Sequence, residues 1–400
     1  MGLFCRNVRV GHTGKHPLCV LAAACASHLP SRPAGDTQGW RRILAADDPN
    51  GALSGLESSS FLAACRGEAT ERTPVWFMRQ AGRHLPEYRA ARGTGNILDA
   101  IRNPDLAAEL TLQPVRRYGV DAAVLFSDIV VPLAAVGFGV EIVAGTGPVI
   151  AEPFRSAADL DRLRPLEPAQ DVPYVLEAVD ILKQELEVPL IGFAGAPFTL
   201  ASYMIEGGPS REFVATKTLM YREPELWAAL VDRLADLSLA HLRAQVERGA
   251  SAIQLFDSWV GALSPLDYER FVLPATSKVL GGLSDAGVPR IHFGVGTGEL
   301  LGLMAAAGAD VVGVDWRVSL PAARQRVGGI AVQGNLDPAI LLAGPEIATR
   351  EAARVLDEGG GRGHVFNLGH GVPPAADPSV LQRIVDLCHT HRHVHTTGGG

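Results

Sequence analysis

Short apolar runs recur along the chain, spaced widely enough for a helix to fit between neighbours. They centre on Val75, Val124, Ile191, Ile253, Ile291, Val312, Val332 and Val365. Most are continuous rather than alternating, the pattern of parallel strands buried on both faces. Helical stretches separate most of them: Pro104–Tyr118, Val172–Glu187, Pro224–Arg248, Pro265–Ala286, Gly298–Ala307 and Pro345–Asp357. Four of these begin at Pro104, Pro224, Pro265 and Pro345, where the first turn of a helix tolerates a residue without an N–H. Eight such strands, most followed by a helix, predict a single-domain (β/α)8 TIM-like barrel. Residues 137–150, with Gly145-Thr146-Gly147 at a turn, predict a β-hairpin insertion after the second strand. An open doubly wound sheet is the alternative. It calls for a glycine fingerprint after the first strand, and Arg79-Gln80-Ala81-Gly82-Arg83 is not one.

The ends of the chain read differently. Residues 1–57 are rich in Ser, Gly, Pro and Arg and lack hydrophobic periodicity. They are expected to form a disordered or spuriously translated extension, with a targeting segment as the lesser alternative. The barrel is expected to occupy 58–388. Residues 389–400, with histidines at 389, 391, 393 and 395, read as a flexible solvated tail.

In a barrel of this kind the chemistry lies where the strands end. Those ends read Arg79; Ser127-Asp128; Ala194 to Pro197; Asp257-Ser258; His292 to Gly296; Asp315-Trp316-Arg317; Gly334-Asn335; and Asn367 to Gly371. The first is the most telling. Val75 to Met78 is apolar and stops on Arg79, with Arg83 following across a glycine. Arginine keeps its charge in a cleft and grips a carboxylate through two parallel hydrogen bonds. Two arginines facing one pocket imply a ligand with several negative charges.

Composition narrows the chemistry further. The net charge of -7 argues against a nucleic-acid partner. No run approaches the roughly 18 apolar residues of a membrane span. The only lysines are Lys15, Lys183, Lys217 and Lys278, none at a strand end, which disfavours a Schiff base. The cysteines are Cys5, Cys19, Cys25, Cys65 and Cys388, leaving the core without thiolate metal ligands or a disulfide framework and suiting a reducing cytoplasm. Gly294-Val295-Gly296-Thr297-Gly298 is read as a tight barrel corner in preference to a phosphate cradle. The expectation is a site without metal or cofactor, built on arginines and one prominent carboxylate.

The motifs themselves resemble a known family. Pro-Val-Trp-Phe-Met-Arg-Gln-Ala-Gly-Arg at 74–83 resembles the first signature of the uroporphyrinogen decarboxylase family. The segment 192–200, continuing to Tyr203-Met204-Ile205-Glu206-Gly207-Gly208, is similar to its second. Phe126-Ser127-Asp128-Ile129, Gln254 to Ser258, Gln333 to Pro338 and Asn367 to Gly371 also look like that family. The likeness covers about residues 58–388. It implies a distorted barrel pairing as a homodimer with its clefts facing. It also implies cofactor-independent removal of carbon dioxide from the four acetate arms of uroporphyrinogen III, giving coproporphyrinogen III for haem biosynthesis. By the same resemblance Asp128 stabilises a pyrrolic cation and Arg79 is a proton-donor candidate. Substrate binding falls to the turn Arg79, Gln80, Ala81, Gly82 and Arg83, with Asp128, Tyr203, Ser258 and His370. Phe198 and Phe256 read as cleft walls or core, and Arg89 and Arg92 as part of the basic loop or a solvated face. His84 stands where the family more often has tyrosine.

Two rivals remain on the sequence. A zinc-dependent methyltransferase of the same superfamily needs a His-x-Cys motif, where this chain has His292-Phe293-Gly294. A tetrapyrrole carrier on a decayed scaffold would tolerate loss of Arg79 or Asp128, and both are present.

Overall fold

The structure, a computed structural model, describes residues 58–143 and 145–392. Seven parallel strands form one sheet in the order Ala123–Val124, Leu190–Gly195, Ala252–Asp257, Arg290–Gly294, Val311–Gly313, Ala331–Gln333 and His364–Val365. Each pairs with the next in chain order, as helical crossovers require. The first apolar run is drawn between the two edges of this curled sheet. On one side Phe366 donates its N–H to Pro74 (2.8 Å), and on the other Asp121 donates to the carbonyl of Val75 (2.8 Å).

Side-chain parity divides the core in two. Trp76, Met78, Ala252, Ile291, Phe293, Val311, Ala331 and Val365 turn inward and pack together inside the curl. Their neighbours Val75, Phe77, Ile253, Leu255, Val312, Val332 and Phe366 turn outward against the helices. This is the period of two expected of a strand. A buried polar chain crosses the lumen: Trp76 donates to Gln333 Oε1 (3.0 Å), and Gln333 donates to Gln254 Oε1 (2.9 Å). The short helix Ser60–Cys65, capped by Ser59, packs its Phe61, Leu62, Ala64 and Cys65 into the same inner group. It contacts the strands Ala331–Gln333 and His364–Val365, stopping the end of the lumen opposite the strand termini.

The structure refines several sequence expectations. The stretch expected to be one helix over Pro265–Ala286 is two, Pro265–Phe271 and Leu273–Gly281. Pro274 explains the break: it lacks an N–H and crowds the backbone before it. Val140–Val143 pairs antiparallel with Gly147–Ile150. The last helix, Pro378–Thr390, runs past the expected start of the flexible tail. His389 meets Asp121 at 2.9 Å, and Arg72 meets the same carboxylate at 2.7 Å. Thus 389–392 are anchored; the extension 1–57 and the histidines at 393 and 395 lie outside the described residues. Phe198 is fully buried against Trp227 and belongs to the core, whereas Phe256 is half-buried at the top of the lumen.

Because Phe61 is a 0 % exposed plug side chain, Phe61→Ala is expected to lower unfolding free energy by about 3–5 kcal/mol. Urea unfolding checks this; a loss below about 1 kcal/mol would mean the lumen does not depend on its plug.

Candidate active site

Arg79 sits where the first apolar run ends, and its backbone is left-handed, with φ of 60°. That region costs an ordinary residue roughly 1–2 kcal/mol, so neighbouring contacts must enforce it. They do so from three directions. Gln80, buried, accepts from Phe77 N–H (3.1 Å) and donates to Ala122 O (3.2 Å), so its amide is spent on the backbone. Asn367 Oδ1 accepts from Met78 N–H (3.0 Å), and Val372 donates to Met78 O (2.9 Å). The Arg79 side chain lies across Gly371: a Cβ there would fall 2.5 Å from Arg79 Cδ. Gly369 is similarly pressed, its missing Cβ 2.6 Å from Trp316 N.

Asp128 follows the strand Ala123–Val124 and is partly exposed. Its Oδ1 accepts from Val130 N–H (3.1 Å), so it also organises the turn into the helix Val131–Ala135. Burial of the carboxyl pushes its pKa up; the Val130 amide and the Arg79 charge pull against that shift. Tyr203, on the helix Pro197–Glu206, feels the same pair. Burial raises its pKa well above the usual phenol value, Asp128 adds to the rise and Arg79 opposes it. His370 completes the group. Burial, then the Arg79 charge, lowers its pKa to about 4. Its Nδ1 accepts the Gly371 N–H (2.7 Å), which leaves the Nε2 proton as the available donor. Arg79, Asp128, Tyr203 and His370 are therefore electrostatic neighbours at the strand termini.

Ser258, half-buried, lies between Asp257 and Trp259 at the next strand end. Ala81 and Gly82 are half-buried in the turn, and Arg83 is exposed beyond them. Neither Arg79 nor Arg83 has a side-chain hydrogen bond or ion pair among the described residues. Arg89, by contrast, donates to Arg83 O (2.6 Å) and His84 O (3.3 Å), and Arg92 to Gly95 O (2.7 Å). These two arginines brace the loop. His84 is buried, and burial lowers its pKa to about 4.

Three strand-end residues face elsewhere. Parity turns Asp257 and His292 outward, beneath the helices, where Thr199 Oγ1 donates to Asp257 (2.7 Å) and His292 Nδ1 faces Met304 O (3.4 Å). Asp315 is closed by Arg317, whose guanidinium lies 2.6 Å away, and by the N–H groups of Gly296 and Arg317. The Gly296 contact also disposes of the phosphate cradle, because an internal carboxylate already takes that amide. Among the described residues, no group of three or more His, Cys, Asp or Glu side chains has metal-binding geometry.

A model of the family described as uroporphyrinogen decarboxylase (URO-D) matches residues 56–391. A Streptomyces coelicolor protein named uroporphyrinogen decarboxylase is 63% identical over 335 residues, covering 83% of this chain and 94% of that protein. One of the same name from Frankia casuarinae is 55% identical over 370 residues, covering 90% and 98% respectively. Among solved structures, a methyltransferase from Methanosarcina mazei shares the fold at a TM-score of 0.69 and 21% identity, covering 82% of this chain and 97% of that one.

Gly371→Ala is expected to displace Arg79 with little effect on stability, lowering kcat/KM by about tenfold or more. Unchanged kinetics would show that Arg79 does not need its glycine seat. His84, His370 and His241, the last buried on the helix Pro224–Arg248, are each held to about 4, chiefly by burial, against 6.5 when unfolded. The unfolded chain therefore binds more protons between these values, and stability should fall as pH drops from 6.5 towards 4. Urea midpoints across that interval test the sign, and a flat profile counts against it.

Proposed function

The chain belongs to the uroporphyrinogen decarboxylase family and is a carboxy-lyase of tetrapyrrole biosynthesis, and from that premise we propose how its residues divide the reaction. The observation that carries the proposal is the Arg79–Asp128 neighbourhood: opposite charges, each independently anchored, beside Tyr203 and His370. The substrate is uroporphyrinogen III, whose eight carboxylates suit Arg79 and Arg83 and whose pyrrole N–H groups suit Asp128. Residues 58–388 form one distorted (β/α)8 domain, with 74–78 as the eighth strand position and 137–150 as a hairpin insertion. A homodimer in the cytoplasm completes the reading. No helix among the described residues is long and apolar enough to cross a membrane.

Each acetate arm is decarboxylated by the same sequence of steps. A proton adds to the pyrrole α-carbon next to the ring carbon that bears the arm, with Arg79 as the candidate donor, and leaves a cationic pyrrole with positive charge on the arm-bearing carbon. The bond between the arm's methylene and its carboxylate then breaks, its electron pair flowing into the ring as carbon dioxide departs. A second proton converts the exocyclic methylene into methyl, and loss of the first restores the aromatic ring. Asp128 stabilises the cation where positive charge develops. Arg79 and Arg83 hold carboxylates of the substrate. Tyr203, Ser258 and the neutral His370 offer hydrogen bonds, while Gln80, Ala81 and Gly82 shape the turn that presents the arginines.

Anaerobic incubation with uroporphyrinogen III should release four equivalents of carbon dioxide and yield coproporphyrinogen III. Asp128→Asn should lose about 100-fold or more in kcat while still binding substrate. Full activity in that variant would remove Asp128 from the mechanism. Because the site requires ionised Asp128, kcat/KM should fall on an acid limb above the ordinary aspartate value of 3.8. A limb at or below that value would contradict the buried carboxylate.

A further inference from the structure

Trp259 follows Ser258 in the loop after the strand Ala252–Asp257. It is attached at two points to one face of the helix Pro197–Glu206. Its backbone N–H donates to Thr199 Oγ1 (3.3 Å), and its indole stacks on Tyr203 with ring centroids 3.8 Å apart and planes 35° apart. Thr199 and Tyr203 are four residues apart, so they lie on the same helical face. Phe213 closes on the indole at 5.2 Å.

The Thr199 hydroxyl has a second commitment. It donates to Asp257 Oδ1 at 2.7 Å, and both side chains are 0 % exposed. Among the described residues, His292 Nε2 stands 3.8 Å from Oδ2, and the buried Tyr268 phenol also feels the Asp257 charge. A buried carboxylate is expensive to desolvate and adds little net stability, so its use here calls for a geometric return. That return is register: the strand end, the loop and the helix meet at one hydroxyl, which fixes Ser258 and Trp259 relative to Tyr203.

We propose that Trp259 is a positioning residue, held by Thr199 and Asp257, that sets the attitude of Tyr203 against Asp128 and Arg79. The inference rests on Tyr203 being a substrate contact in the proposed reaction. Tyr203 is half-buried, and the stacked indole restricts its ring. Trp259 acts through Tyr203 and not on the reacting atoms.

The test is a double-mutant cycle on kcat/KM with uroporphyrinogen III under anaerobic conditions. Trp259→Ala should lower kcat/KM about tenfold, and Trp259→Phe, which keeps an aromatic face, should recover to within about threefold. In the Tyr203→Phe background, Trp259→Ala should add less than about a twofold loss, since the hydroxyl it positions is gone. Losses that multiply would overturn the proposal while leaving Tyr203 in the site. A Tyr203→Phe enzyme equal to the unmodified protein would remove the substrate contact itself, a separate failure visible in the single variant. Thr199→Val should reproduce the Trp259→Ala loss and Thr199→Ser should restore activity. A folded Thr199→Ser variant as impaired as Thr199→Val would break the link to the hydroxyl. Should Thr199→Val fail to fold, the Trp259–Tyr203 cycle still decides.

Discussion

The site depends on one constraint: Arg79 must carry its charge on a left-handed backbone at the end of a strand position. Left alone, that conformation would relax, and the guanidinium would swing away with it. The surrounding contacts remove the option. Gln80 ties the turn to Ala122, Asn367 ties Met78 to the last strand, and Gly371 leaves the groove in which the side chain lies. Backbone bonds just before the turn, from Phe366 to Pro74 and from Asp121 to Val75, draw the first apolar run between the two sheet edges. The strained turn is therefore an extension of the segment that bridges the sheet.

Much of this was legible in the sequence. The apolar runs located the strands, and the polar residues ending them located the rim. Arg79, Asp128, Tyr203 and His370 emerge as electrostatic neighbours, and the family resemblance named all four. Side-chain direction was not legible. Asp257 and His292 end strands as prominently as Asp128 does, yet parity turns them under the helices. Their strands, Ala252–Asp257 and Arg290–Gly294, are buried along nearly their whole length on both faces, so no alternation of apolar and polar residues marks which side faces the lumen. Asp315 is hidden for a different reason: its partner Arg317 looks from the sequence like another rim cation, and only geometry shows that the two neutralise each other. The left-handed turn at Arg79 had no sequence signal at all, since no glycine or asparagine marks it.

These closed pairs clarify what sets Arg79 and Asp128 apart. An arginine beside a carboxylate ordinarily closes into a salt bridge, as Arg317 and Asp315 do, and a site closed on itself has no charge left for a ligand. Here both partners are pinned to something else. The Asp128 carboxylate is fixed by the Val130 amide, and Arg79 is fixed by its turn and by Gly371. The two feel each other without forming an ion pair among the described residues. On the proposed reading, that enforced separation is the working feature of the cleft. It keeps a cation ready for the substrate's carboxylates and an anion ready for its pyrrole N–H groups, and neither must first be pulled from the other. Preorganisation of this kind lowers the reorganisation that reaction would otherwise demand. It also explains why so much of the surrounding polar structure, from Gln80 to Asn367, is spent on backbone: its task is to hold two charges apart.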